Sequence, residues 1–385
     1  MYTKSLKQNL TLGVLALSFA GAAPAVDFTG SGFLTLAAGK VIDRELADGF
    51  VVVDYGQAGI YDDTNLTLGP DSKLGLQGTA TFSPQWSATG QLVSRGAANG
   101  KINLEWLYAT YQATDDLTIQ IGRKRLPLFY YSESQDVGIA LPWVRIPPQA
   151  YGWDVVNYNG ANLMYRSSLG EWTSNAEVFF GNEERKNNPY QQIYSSRDAR
   201  IDEKWTNIMG ADWTLNRDWL ELRFSAVRSG WETTDTATAT REDNGKQTFL
   251  SAGAMIDYGD WLIRSEVSKI DRPDLVGSAE HDWALLLSLG YRFGKWLPMV
   301  TYAKFHGNYE DPTWADERTE NIALSLRYDL TSSSAIKLQY DIFRDHSDGA
   351  NGMTCYRDPV TCGGGPSSER YGNARMITIA YDKVF

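Results

Sequence analysis

Cysteine, histidine and long apolar runs are all scarce in this sequence of 385 residues, which has 2 Cys and 3 His. No His lies between the two cysteines, so a zinc site of the usual four Cys or His ligands is not spelled out. A bilayer-spanning helix needs about 20 consecutive apolar residues. Only the first 25 residues contain a comparable stretch, which excludes a helical membrane bundle. Basic residues are outnumbered, 36 Lys and Arg against 47 Asp and Glu, for a net charge of -11. Nothing here would neutralise a phosphate backbone in bulk, so a nucleic-acid partner is not expected. Phosphate loops, zinc spacings and dinucleotide fingerprints are missing too, and no cofactor or metal is expected.

What is present is unusual in combination. The mean hydropathy is -0.36, yet the chain carries 13 Trp, 21 Tyr, 14 Phe and 35 Gly. That is too aromatic for a disordered chain. A large β-structure with one wet face and one apolar face would have this composition.

The N-terminus reads as a secretory signal. Lys4 and Lys7 precede an apolar stretch from Leu10 to Ala23, and Ala23-Pro-Ala25 is a small-x-small cleavage site. Cleavage before Val26 leaves 26–385 as the mature chain, exported across a bacterial inner membrane. The competing reading is an N-terminal anchor helix, for which the apolar run is short. In an oxidising compartment, Cys355 and Cys362 read as a disulfide closing an outer loop.

The rest of the chain alternates. Ile322, Leu324, Leu326, Tyr328 and Leu330 interleave with Ala323, Ser325, Arg327 and Asp329. Residues i and i+2 of a strand share a face, so each such segment has one apolar side and one side of charges and small groups. Sixteen segments follow this rule: 28–40, 72–82, 86–95, 101–113, 117–124, 158–168, 172–182, 203–214, 219–230, 248–258, 261–270, 282–293, 296–306, 319–330, 334–345 and 373–385. Their connectors alternate between two or three residues (Ser83-Pro-Gln85, Gly259-Asp260, Gly294-Lys295) and long links such as 41–71, 125–157 and 346–372. Short turns on one side and long loops on the other are the mark of outer-membrane barrels. Trp86, Trp172, Trp219, Trp261 and Trp296 each follow a short link, as an aromatic belt at one interface requires. The expected fold is all-β: a 16-stranded antiparallel transmembrane up-and-down β-barrel.

The last strand, Met376-Ile-Thr-Ile-Ala-Tyr-Asp-Lys-Val-Phe385, looks like the C-terminal strand of bacterial outer-membrane proteins, with Lys383 departing from the usual apolar residue. With the leader and the loop asymmetry, the chain resembles the Gram-negative general porin superfamily over 26–385. That resemblance implies a homotrimer of water-filled channels in the outer membrane, embedded in its lipid and passing small hydrophilic solutes and ions. It also implies that the loop after the fifth strand, here 125–157, folds inward as the constriction. The loop lacks the Pro-Glu-Phe-Gly-Gly stretch of enteric porins, which places the resemblance with a more distant proteobacterial branch. Phe129, Tyr130, Tyr131, Trp143 and Ile146 make it too apolar to stand in water. The lumen is one place for it; an extracellular cap or a subunit contact is another.

The candidate constriction residues are Lys124, Arg125, Tyr130, Tyr131, Glu133, Asp136 and Arg145. Opposed charges across a narrow wet gap select ions by sign and size. The alternation puts Arg95, Glu105, Arg223, Arg264, Glu266, Arg327 and Lys337 on the pore wall, together with Glu177, Glu221, Asp329 and Asp341. Arg or Lys on the lipid side near the midplane would cost about 2–4 kcal/mol. Mutual salt bridges are the plain alternative role for each of these charges. Arg123 has the outward phase, which suits the rim or a subunit contact. An enzyme is not expected: His281-Asp282 would point to opposite faces of a strand, and His346 near Ser347 is a loop coincidence. A substrate-specific channel of the same fold is the second reading, and a barrel adhesin or enzyme acting through its outer loops is the third.

Overall fold

The computed structural model describes residues 26–45, 51–61, 65–152, 155–194, 199–274, 278–312, 315–347 and 372–385. The expected leader at 1–25 and the expected Cys355–Cys362 bridge lie outside the described residues. β1 (Asp27–Arg44) is followed by a short hairpin, β2 (Val51–Asp54) and β3 (Gly59–Tyr61). Then come β4 (Lys73–Thr81), β5 (Trp86–Arg95), β6 (Ile102–Gln112) and β7 (Leu117–Arg125). A short helix α1 (Pro148–Tyr151) lies in the long link before β8 (Asn157–Leu169) and β9 (Trp172–Arg185). Helix α2 (Pro189–Tyr194) precedes β10 (Ile201–Arg217), β11 (Leu220–Asp235), β12 (Thr240–Tyr258) and β13 (Trp261–Arg272). β14 (Glu280–Tyr291), β15 (Trp296–Tyr309), β16 (Glu317–Thr331), β17 (Ser334–Asp345) and β18 (Ala374–Val384) complete the chain. All but β2 and β3 form one closed antiparallel barrel of sixteen strands, sealed where β1 pairs with both β18 and β4.

The alternation sorts side chains as period 2 requires. Along β14, Leu287 is 51% exposed and its neighbour Leu286 is fully buried. Leu285, Leu287 and Leu289 face out; Asp282, Leu286 and Ser288 face in. All sixteen barrel segments read from the sequence are strands, but several run further on the long-loop side. β12 starts at Thr240 rather than 248, and β11 reaches Asp235 rather than 230. Apolar alternation stops at the membrane edge, whereas backbone pairing needs no apolar face and continues beyond it.

The short-turn end carries the aromatic belt, and the structure adds its partners. Trp86 packs on Tyr111, Trp261 on Tyr291 and Trp296 on Tyr328 across neighbouring strands, with centroids 4.5–4.9 Å apart. Lys383, on the outer face of β18, reaches the turn between β16 and β17, where its Nζ donates to Ser333 Oγ at 2.8 Å. The charge leaves the lipid face by snorkelling.

The link 41–71 is more than a loop. The β2–β3 hairpin lays Val51, Val53 and Tyr61 on the inner residues Val41, Phe343 and Met376. Gly39 is what admits Tyr61: a Cβ there would sit 2.8 Å from the ring.

Candidate pore constriction

The described residues 126–152 and 155–156 of the link from β7 to β8 pack against inner-face residues, so they lie inside the barrel. Their apolar side chains find the partners their composition demands. Leu126, Leu128 and Phe129 join Tyr158, Phe179, Val227 and Phe249 in one cluster. Tyr131, Leu141, Trp143 and Ile146 join Met255, Leu286, Leu297 and Met299 in another. Tyr131 meets Trp143 edge-on at 5.5 Å, and Trp143 Nε1 donates to Thr301 Oγ1 at 2.7 Å. Tyr130 and Tyr131 therefore sit against the β13–β15 side of the lumen. The Tyr130 N–H donates to Glu266 at 2.9 Å, and the Tyr151 hydroxyl donates to the other oxygen of that carboxylate.

Charged wall residues hold the loop backbone. Arg223 donates to the carbonyls of Phe129 and Pro127, and Ser225 and Ser251 donate to Pro127 and Leu128. Arg327 donates to Ile139 O at 2.7 Å and Leu141 O at 3.0 Å. Lys337 donates to Gly138 O at 2.6 Å and Trp143 O at 2.8 Å, and pairs with Asp382 at 2.8 Å. Arg264 pairs with Asp257 and donates to Ile256 O at 3.1 Å. All the wall residues expected from the phase of the alternation are on the inner face. Most of them grip the loop, and few stand alone in the lumen.

Two ion clusters pin the loop at its far reaches. Asp136 takes Arg95 Nε at 2.9 Å, Arg125, and Lys73 at 3.5 Å; Glu105 closes the cluster through Arg95 at 2.6 Å and Arg125 at 3.4 Å. Burial opposes ionisation of Asp136, but the flanking Arg95 and Arg125 guanidiniums hold its carboxyl well below the usual carboxylate range. Arg145 bridges Asp71 at 2.7 Å, Asp341 at 3.0 Å and Thr378 at 2.6 Å. Asp71 and Asp382 were missed by sequence reasoning. Asp382 was within reach, since it shares the inner phase of Ala380 and Thr378. Asp71 lies in a link whose geometry no local pattern reports.

Arg125 and Arg145 are thus buried behind or within the loop, 3% and 5% exposed, and do not line open water. Arg123 takes the outward rim position and pairs with Glu183 at 2.7 Å. Lys124 turns inward over the Tyr108 ring at 5.5 Å, 3.8 Å from Glu177. Glu133 is exposed on the loop, with no hydrogen bond or ion pair among the described residues.

The loop's hydrogen bonds and ion pairs reach β11–β13, β15–β18 and, through Asp136, the outer ends of β4, β5 and β7. The remaining inner wall of β4–β10 is lined by Gln77, Thr79, Gln91, Thr110, Gln120 and Asn175, with Tyr108, Glu177 and Asp212. These amides and hydroxyls bond across strands, as in Gln91 to Gln77 at 3.0 Å and Gln120 to Thr110 at 3.3 Å.

A closed barrel with an apolar outside, a polar inside and a loop narrowing its bore is an outer-membrane channel by construction. A family model described as Gram-negative porin matches residues 11–348, and the chain belongs to that family. Solved structures share the fold at low identity. The outer membrane channel DcaP of Acinetobacter baumannii is 10% identical, with a TM-score of 0.59 over 95% of this chain and 99% of that one. The anion-selective porin from Comamonas acidovorans is 13% identical, with a TM-score of 0.57 over 94% and 100%. The trimer form of OmpT from Vibrio cholerae is 11% identical, with a TM-score of 0.54 over 94% and 100%. No curated protein matches the sequence. The chain is an outer-membrane porin, a diffusion channel.

Proposed function

We propose that small hydrophilic solutes and ions cross between the loop at 126–156 and the inner wall of β4–β10, without chemical change and without a deep binding step. The observation that carries this is the part of the inner wall that the loop leaves partly exposed, at Gln77, Thr79, Thr110, Gln120 and Asn175. The loop is fixed by its apolar side chains against β8–β15, and by Arg223, Glu266, Arg327 and Lys337 on β11–β17. The facing wall carries mainly neutral amides and hydroxyls, with Glu177 met by Lys124 and Asp212 by Arg223. Such a surface exchanges hydrogen bonds with a hydrated solute at little net cost. The imidazoles favour a channel over an enzyme. His281 meets Asp271 at 2.7 Å on the outer face, His306 lies between Trp283 Nε1 at 3.2 Å and Arg318 Nε at 3.0 Å, and His346 is 3.6 Å from Glu320.

The assembly we propose is a homotrimer, with the contact on β1 and β4–β6. On the outward face Gly30 pairs with Gly78 and Gly78 with Gly90. One row away, Phe28, Ala80, Ala88 and Ala109 run across the same strands. This patch is flatter than the Leu-rich outer faces of β14 to β18, and flatness lets two barrels approach closely. Planar-bilayer recording of the purified protein tests both parts. Ohmic steps in groups of three, together with a trimer mass that Ala80→Trp abolishes, are expected. Folded protein that does not conduct would overturn the channel reading; monomers with single steps would overturn the trimer alone.

A further inference from the structure

We infer that two outer links, rooted on different sides of the barrel, close on each other as a strap across the mouth, and that this strap sets the upper size of solute that enters. The inference rests on the diffusion-channel reading and adds where the size limit lies: at the mouth, ahead of the inserted loop.

One arm is the β2–β3 hairpin, from the link between β1 and β4. The other is α2, from the link between β9 and β10. The barrel order puts β4 to β9 between the two roots on one side and all the other strands on the other, so the arms are not neighbours along the rim. Each arm is tied to its own wall. Val51 and Val53 hold one face of the hairpin on Val41, Phe343 and Met376. Glu203 of β10, fully buried, holds α2: Asn188 Nδ2 donates to it at 2.6 Å and Gln191 Nε2 at 3.2 Å.

The other face of the hairpin meets α2 over the bore. Val52 and Tyr55 form a cluster with Ile193, and Ala58, Ile60 and Tyr190 pack around it; all six residues come from the two links. Ile193 is 0% exposed, although it belongs to a six-residue helix in an outer link. An isoleucine above a wet pore is buried so completely only when the opposite arm covers it, and the apolar surface so removed from water holds the arms together. Arg185, at the outer end of β9, adds a polar tie by donating to the Gly56 carbonyl at the hairpin tip. Asp54 Oδ1 accepts from the Gln57 N–H at 3.1 Å and fixes that tip. Tyr55 also rests on Gly152 of the inserted loop, where a Cβ would come 3.1 Å from the ring.

The two sides of the strap are unequal. Toward β16 and β17 it leaves a cavity of about 10 Å³ beside Gln149 and Thr319, no more than the room of one water. Toward the rim of β6–β9 lies a cleft of about 680 Å³, with Gln57 and Gln192 on the strap and Lys101, Asn103, Asn157 and Glu183 opposite. That cleft opens on the side of the polar β4–β10 wall. Solutes enter there, and the span from strap to rim bounds their width.

The test is swelling of liposomes that hold the intact protein, driven by neutral sugars from a pentose to a tetrasaccharide. Ile193→Asp puts a charge into the apolar contact, and Tyr55→Ala empties it from the other arm. Each should part the arms and raise the tetrasaccharide-to-pentose uptake ratio severalfold. The double variant should add little, since both changes break one contact. Glu310→Gln, in the link between β15 and β16, should leave the ratio unchanged. Hydrogen exchange at the Ala58 and Gln191 amides, which bond to Tyr55 O and Asn188 O, reports whether the arms have parted. An unchanged ratio in a variant whose two amides have lost protection would overturn this inference while leaving the porin reading intact. Protection retained in both variants would show that the cluster does not hold the arms, and would overturn it as well. A folded barrel that admits not even the pentose would overturn the channel reading instead.

Discussion

Replacing Asp136 by Asn isolates what the ion cluster contributes to the constriction. The carboxylate is 4% exposed and lies between Arg95, Arg125 and Lys73. Asn keeps the volume and one acceptor oxygen but removes the charge, leaving two buried guanidiniums with Glu105 as their shared carboxylate. Removing one partner of a buried pair costs about 3–5 kcal/mol. Because 1.4 kcal/mol is about tenfold in an equilibrium, the population with this part of the loop detached should rise by roughly a hundredfold or more. The barrel itself should hold, since its sixteen strands pair without Asp136. Native-state hydrogen exchange reports the detachment directly. The Ser134 N–H bonds to Tyr131 O and the Val137 N–H to Ser134 O, so both amides should lose protection. Single-channel records should become noisier as the loop samples the bore. Unchanged exchange at Ser134 and Val137 would refute the clamp. Arg95→Gln and the double variant complete a cycle whose coupling term measures the pair itself.

Three further outcomes follow from the same contacts. The Asp136 carboxyl is held below its unfolded value of about 3.9, so its stabilisation is complete above that pH and is lost as pH falls through the depressed folded value; loop noise in single-channel records should stay flat from pH 7 to about 4 and grow only below it. Trp143→Ala, which empties a fully buried site, should weaken loop anchoring by about 3–5 kcal/mol and raise conductance; Trp143→Phe, which leaves Thr301 without its donor, should cost only about 1 kcal/mol and change conductance little. Leu287→Arg on the lipid face should destabilise the barrel by about 2–4 kcal/mol in urea unfolding from vesicles, whereas Thr110→Arg on the wet wall should leave unfolding nearly unchanged and narrow the bore.

The barrel was legible because its determinants are local and repeated. Leu285, Leu287 and Leu289 announce a lipid face within five residues, and Gly259-Asp260 announces a turn. Strand ends at the outer side were not legible, since Thr240 to Lys246 are paired yet carry no apolar phase. The β2–β3 hairpin was hidden in the link 41–71, although Val51-Val-Val53 was a hint of burial. The site was half legible. Every wall charge was placed on the correct face, because phase alone decides that. Which charges meet was not readable: Arg145 and Asp71 are 74 positions apart, and Lys337 and Gly138 are 199 apart. A run of three cations in sequence says nothing about the carboxylates that fold across it.

The wall opposite the loop has a consequence for speed. Gln, Asn and Thr each both donate and accept, so a solute leaving one rung meets an equivalent one on the next strand. Among these neutral rungs none is much deeper than its neighbour, and a molecule that cannot be caught is free to slide. Traffic down such a chute is limited by its width and hardly by its walls.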